Sequence, residues 1–259
     1  MSEAPRVLYT VEADGVATLI LNRPEKRNAF DSEMIDAWLG ALDAFAADPD
    51  AKVMILTGAG TAFCAGGDTG AMESRGKLSA LEQKDYLWRN VHRIPLAMSR
   101  LDKPVIAAVN GNARGAGLDM ALYCDMVLMA ESATVAESYI DIGLPAGDGG
   151  AWLLPRLVGM QQALNLLLTG RVIESREAER LGLVLKTVPD DSLMREAVML
   201  ARTIAAKSGP AVRLMKRLAY QSVGLPLATH FDMVSSHMAV LKDGDDHRQR
   251  IAAMNRRRT

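Results

Sequence analysis

Two short glycine segments and a few carboxylates are the residues in this 259-residue chain whose types and spacing could do chemistry. Gly66 and Gly67 lie in the run Phe63-Cys64-Ala65-Gly66-Gly67-Asp68, and Gly115-Ala116-Gly117 lies just ahead of Leu118-Asp119-Met120. Each follows an apolar run that reads as a buried strand, residues 52–57 and 105–110. Backbone N–H groups at such places can converge on one anionic oxygen, because small residues let the chain approach and a helix N-terminus favours negative charge. The chemistry would be oxyanion stabilisation without side chains, each donor typically being worth about a hundredfold to a thousandfold in rate. Tight turns alone would also use these glycines, but the pattern occurs twice and beside carboxylates, which favours the donor reading.

Asp119 follows the second glycine segment, and Glu137, Tyr139, Asp141 and Asp148 come later. In an extended segment Glu137 and Asp141 would project from the face opposite Tyr139. A phenol with a reference pKa of about 10 is a poor general base at neutral pH. Asp148, inside the glycine-rich loop 143–150, has two readings: a carboxylate for acid–base work, or the N-cap of a helix starting at Gly149.

Other chemistries are excluded by inspection. No GxSxG, GxxxxGK[ST], HExxH or EF-hand pattern is present. His230 and His237 are seven residues apart, about 10 Å along a helix and too far for one metal, so no metal is expected. Met120 occupies the place of the third glycine in a dinucleotide fingerprint around Gly115 and Gly117, and the surrounding βαβ unit is lacking.

The elements that must position these residues are legible from pattern. Residues 6–11 and 16–21 form a hairpin around Asp14-Gly15. Met34, Ile35, Trp38, Leu39, Leu42 and Phe45 define one face of a helix behind Asp31 as N-cap. Residues 79–101 read as helical, 125–129 as a strand and 134–142 as short and mixed. Helices follow at 150–157, 161–168, 175–181, 193–206, 210–221 and 227–241, interrupted by a strand at 183–188, and a basic tail closes the chain at 255–259. The sequence thus repeats strand, glycine loop and helix, and ends in a helical layer.

Lys+Arg 30 against Asp+Glu 31 gives a net charge of −1, which provides no global field for nucleic acid or an anionic membrane. A polyanionic ligand would need a local basic cluster, such as Arg23, Lys26 and Arg27, which otherwise reads as a solvated turn. Cys64 and Cys124 form no CxxC pair and fit a reducing compartment, and no export signal or membrane span is indicated, so a cytoplasmic location is expected.

Together, Asn22-Arg23-Pro24-Glu25-Lys26-Arg27-Asn28-Ala29, Ala62-Phe63-Cys64-Ala65-Gly66-Gly67-Asp68, residues 103–111, Cys124-Asp125 and Leu168-Thr169-Gly170 resemble the crotonase superfamily, the enoyl-CoA hydratase/isomerase family, over nearly the whole chain. The resemblance implies an α/β fold, a crotonase-like spiral of ββα units over 1–190, with a helical C-terminal trimerisation region over 191–259 that builds a homotrimer or a dimer of trimers. It implies an acyl-CoA substrate whose thioester carbonyl oxygen lies between the N–H groups of Gly67 and Ala116. Coenzyme A enters as part of that thioester, with no tightly bound cofactor. Arg23, Lys26, Arg27, Ala65 and Asp68 fall where the family binds the coenzyme. The acyl pocket falls on 74–98 and the C-terminal helices.

The chain departs from the family at the catalytic carboxylates. Family hydratases carry two glutamates; the first position is Asp119 here and the second is Tyr139. Asp148 is the replacement. Related isomerases and dehalogenases place a working aspartate one position earlier, on Gly147, whereas related β-diketone hydrolases carry it at the position of Asp148. The expected activity is therefore that of a hydratase/isomerase-like lyase or isomerase outside ordinary two-glutamate hydration. Hydrolysis of a β-diketone carbon–carbon bond and non-catalytic acyl-CoA binding are the alternatives. Arg114 has no assigned role and could pair with an acidic acyl group or with Asp119.

Overall fold

The computed structural model describes residues 4–70 and 78–256. Three times the chain lays down one strand, turns within two to three residues, and lays down a second strand in a different sheet. β3 (Val53–Gly58) leads to β4 (Ala62–Cys64), β5 (Val105–Val109) to β6 (Asn112–Arg114), and β7 (Met126–Ala130) to β8 (Thr134–Ala136). The first strand of each pair is nearly or fully buried, as a sheet covered on both faces requires.

These strands stack in parallel. The larger sheet runs β1 (Val7–Val11), β2 (Val16–Leu21), β3, β5, β7, β10 (Lys186–Val188), with only the opening hairpin antiparallel. The smaller runs β4, β6, β8, β9 (Ile173–Glu174). A helix follows each pair, which gives the expected spiral of ββα turns. After β4 come α1's neighbours α2 (Ala80–Tyr86) and α3 (Arg93–Arg100); α1 itself (Ser32–Ala47) precedes β3. After β6 comes α4 (Ala116–Leu122), and after β8 a 3₁₀ turn, Ser138–Ile142, then α5 (Gly150–Val158) and α6 (Met160–Thr169).

α1 is capped by Asp31, which accepts from Met34 N at 2.9 Å, and it buries Met34, Ile35, Trp38, Leu39, Leu42 and Phe45. Lys103, 5% exposed, closes its other end by donating to Phe45 O and Asp48 O. α7 (Ser175–Arg180) precedes α8 (Leu193–Ala205), which lays Ala197, Ala201 and Ala205 on the larger sheet. α9 (Gly209–Ser222), α10 (Leu227–Asp243) and α11 (Asp245–Arg256) bury no residue fully. They display Met215, Tyr220, Val223, Leu227, Phe231 and Val240, all more than half exposed. The tail expected at 255–259 is helical through Arg256, and 257–259 lie outside the described residues. No helix of the described residues is long and apolar enough to cross a membrane.

Candidate functional site

The two glycine segments meet. Phe30 N donates to Gly66 O at 2.9 Å and Asp68 N to Phe30 O at 3.1 Å, a parallel bridge that turns the N–H of Gly67 away from Phe30. On that other side lies the second segment. Gly66 has φ +90, and a Cβ there would lie 3.0 Å from Arg114 O and 3.5 Å from Ala116 N, so glycine is needed both for the backbone angle and for the approach. Ala116 is the first residue of α4, and Leu118 N and Asp119 N already take Gly115 O. Among the described residues no acceptor engages the N–H of Gly67 or of Ala116, the usual state of a first-turn helical donor in the second case.

Asn28 holds this arrangement from behind. It is 0% exposed and sits at φ 56, a left-handed angle that Asn tolerates. Its amide donates to the carbonyls of Ala59, Ala62 and Phe63, and its oxygen accepts from Arg23 N. The run 22–29 is thereby stitched to the strand that delivers Gly66. Nothing in the spacing singled out Asn28.

The candidate carboxyls and the phenol gather beside Ala116. The Tyr139 ring packs on Gly115, where a Cβ would lie 3.4 Å from the ring, and its hydroxyl reaches Asp148 Oδ2 at 2.8 Å and Asp119 Oδ2 at 2.9 Å. Asp148 does not cap a helix: Gly149 at φ 118 occupies the cap position of α5, with no side-chain hydrogen bond. Glu137 does not point away from Tyr139. Because 138–142 form a 3₁₀ turn instead of an extended strand, Glu137 faces Asp119 while Asp141 is exposed. A Cβ on Gly150 would meet Asp119 Oδ1 at 2.5 Å and Glu137 Oε1 at 2.6 Å, so both carboxyls rest on this glycine. His92, following a π turn at Leu87–Val91, brings Nε2 to 3.0 Å from Gly147 O and 3.6 Å from Asp148 Oδ1. Fifty-five residues separate His92 from Gly147, and no sequence pattern linked them.

Burial dominates the electrostatics. It pushes the carboxyls of Asp119, Glu137 and Asp148 above their ordinary range. For Asp148 the Tyr139 hydrogen bond and the His92 charge oppose the shift. The phenol of Tyr139 is raised by burial and by the two aspartates, so it is a donor and not a base.

The basic cluster divides. Lys26 and Arg27 are exposed, but Arg23 is 8% exposed and engaged, with Nη1 at 2.9 Å from Asp68, 3.4 Å from Asp31 and 2.8 Å from Ala29 O. Arg23 and Asp68 are thus paired with each other, Arg23 buried and Asp68 half-buried. Ala65 N donates to Arg27 O at 3.0 Å and ties that turn to the glycine segment. Arg114 does not pair with Asp119; its guanidinium bonds Thr134 O and Oγ1 on the adjacent strand. Residues 74–77 of the expected acyl pocket lie outside the described residues. Among the described residues no group of three or more His, Cys, Asp or Glu could hold a metal ion.

A profile of the enoyl-CoA hydratase/isomerase family matches residues 12–258. A crotonyl-CoA hydratase from Syntrophomonas wolfei is 38% identical over 211 residues, 80% of this chain and 79% of its own. The 1,2-epoxyphenylacetyl-CoA isomerase of Escherichia coli is 33% identical over 245 residues, 95% of this chain and 94% of its own. The crystal structure of an enoyl-CoA hydratase from Mycobacterium smegmatis superposes with a TM-score of 0.91 at 31% identity, covering 98% of this chain and 97% of that one. On its fold and on these similarities, the chain belongs to the enoyl-CoA hydratase/isomerase family.

Proposed function

We propose that the protein enolises an acyl-CoA thioester and moves a proton at a nearby carbon, by a route other than two-glutamate hydration. The thioester oxygen lies between the N–H groups of Gly67 and Ala116, and charge developing there is stabilised by donors already in place. Asp148 takes the proton and returns it, with Tyr139 orienting the carboxylate. Asp119 stands behind Tyr139 and acts through it. The observation that carries this reading is the position of the Tyr139 ring on Gly115, one residue from the acceptor-free N–H of Ala116. Lys26 and Arg27 receive the coenzyme phosphates, and Ala65 continues the same wall. Arg23 and Asp68 support that wall from inside.

A second reading, hydrolysis of a β-diketone carbon–carbon bond, draws on the closeness of His92 to Asp148, a pair able to activate water. The exposed apolar face of α9 to α11 supports assembly as a trimer or dimer of trimers, since a patch of this kind is unusual on a monomer.

Incubation in heavy water with crotonyl-CoA, butyryl-CoA and a cyclic or aromatic acyl-CoA tests the proposal by mass spectrometry. Deuterium next to the thioester supports it, and product mass separates hydration from isomerisation. Thioesters that bind and return unlabelled and unchanged overturn it and direct attention to β-diketones.

A further inference from the structure

Glu137 is 2% exposed, and among the described residues neither of its oxygens has an N–H or O–H donor; the same holds for Asp119 Oδ1. Asp119 Oδ1 and Glu137 Oε1 lie 2.5 and 2.6 Å from where a Cβ on Gly150 would sit, so the two carboxyls face each other above that glycine. Two carboxylates cannot bond without a proton between them. A single hydroxyl hydrogen on Tyr139 likewise cannot serve both aspartates that touch its oxygen. Three contacts in a row, Glu137 to Asp119, Asp119 to Tyr139 and Tyr139 to Asp148, therefore need three protons. The four groups can hold four, and release of the fourth leaves one negative charge shared along the row.

We infer that Glu137 is the protonated inner end of this chain and that, by staying neutral, it leaves the one negative charge of the row to Asp148 at the outer end. The charge settles there because Asp148 is the most exposed of the three carboxyls, 7% against 0% and 2%, and has His92 3.6 Å away. With the charge on Asp148, the direction of every bond follows: Tyr139 donates to Asp148, Asp119 donates to Tyr139, and Glu137 donates to Asp119. Each donor in such a row strengthens the next. When Asp148 takes a proton from substrate carbon, the C–H electrons pass to the enolate, the charge moves to the thioester oxygen, and the chain becomes neutral. Glu137 is a positioning residue. The other titratable group packed against the cluster is Tyr123, at the end of α4, whose phenol is raised by burial and by both aspartates.

This inference rests on the acid–base role of Asp148 proposed above, so its test includes a readout independent of turnover. Carboxyl NMR of the full-length protein with labelled Asp and Glu should show Glu137 protonated at neutral pH, with its resonance absent in Glu137→Gln; an ionised Glu137 overturns the inference even if no thioester reacts. In the exchange assay, Glu137→Gln keeps a donor toward Asp119 and should stay within about threefold of wild type at neutral pH, whereas Glu137→Leu should fall by about tenfold and move the acid limb of the pH profile upward. Equal loss in both variants, with folding intact, overturns it as well.

Discussion

Tyr139 gives its hydroxyl to Asp148 at 2.8 Å, and Asp148 in turn lies immediately before the glycine that caps α5. The carboxylate is thus adjacent to a helix terminus without serving it. Substitution can separate chemistry from stability at this position. Asp148→Asn should lower deuterium exchange by about 10² to 10⁴, the range for loss of a positioned acid–base group, while leaving the melting temperature nearly unchanged. A loss of stability comparable to a missing cap, about 1 kcal/mol, with exchange retained would contradict the assignment.

Stability should depend on pH through the three buried acids. Burial raises Asp119, Glu137 and Asp148 above their unfolded values, so the native state keeps protons that the unfolded chain releases. Their contribution is most favourable below the unfolded carboxylate range and is lost as pH rises from there through the raised native values. Glu137→Gln removes one such group, and its stability relative to wild type should increase with pH by about 1.4 kcal/mol for each unit by which that carboxyl is raised. Denaturant titrations at several pH values measure the difference; a constant offset would refute it.

Asn28→Ala should be severe because the residue is fully enclosed. It leaves the carbonyls of Ala59, Ala62 and Phe63 without their side-chain donor, and buried groups that lose partners cost about 1–3 kcal/mol each. A melting temperature lower by roughly 6–12 °C is the expected result, taking about 3 kcal/mol in total.

Arg23 and its neighbours should part company in kinetics. Removing Arg23 takes away the guanidinium 2.9 Å from half-buried Asp68 and the buried donor to Ala29 O, which should destabilise by about 1–3 kcal/mol. The double variant Lys26→Ala with Arg27→Ala should fold normally and raise KM for a CoA thioester by about tenfold at low salt, with the difference narrowing as salt is added. Calorimetry and steady-state kinetics on the two variants distinguish the roles.

The parts of the fold that obey a period were legible in the residues. The strand at 16–21 and α1 match their expected positions because the first follows the strong turn signal Asp14-Gly15 and the second carries a clear apolar repeat. α11 was not foreseen: its sequence DDHRQRIAAMNR buries nothing and so carries no apolar pattern. The expected strand at 183–188 shortens to Lys186–Val188 because pairing with β7 begins at Lys186. In the site, the glycine segments announced themselves by following buried strands. Glu137 was misplaced because the nine residues 134–142 are too short to reveal that an extended strand gives way to a 3₁₀ turn at Ser138. His92 and Asn28 contribute through long-range contacts that no local spacing encodes.

Both cysteines are fully enclosed: Cys64 donates to Asn28 O beneath the glycine segment, and Cys124 sits behind Met120, each thiol raised by burial. A thiol held in that state resists alkylating and oxidising reagents. The folded protein therefore offers a silent background for site-directed labelling. One cysteine placed on the outer surface of α9 or α10 becomes the sole reactive handle, and a fluorophore or spin label attached there would report how neighbouring copies approach one another.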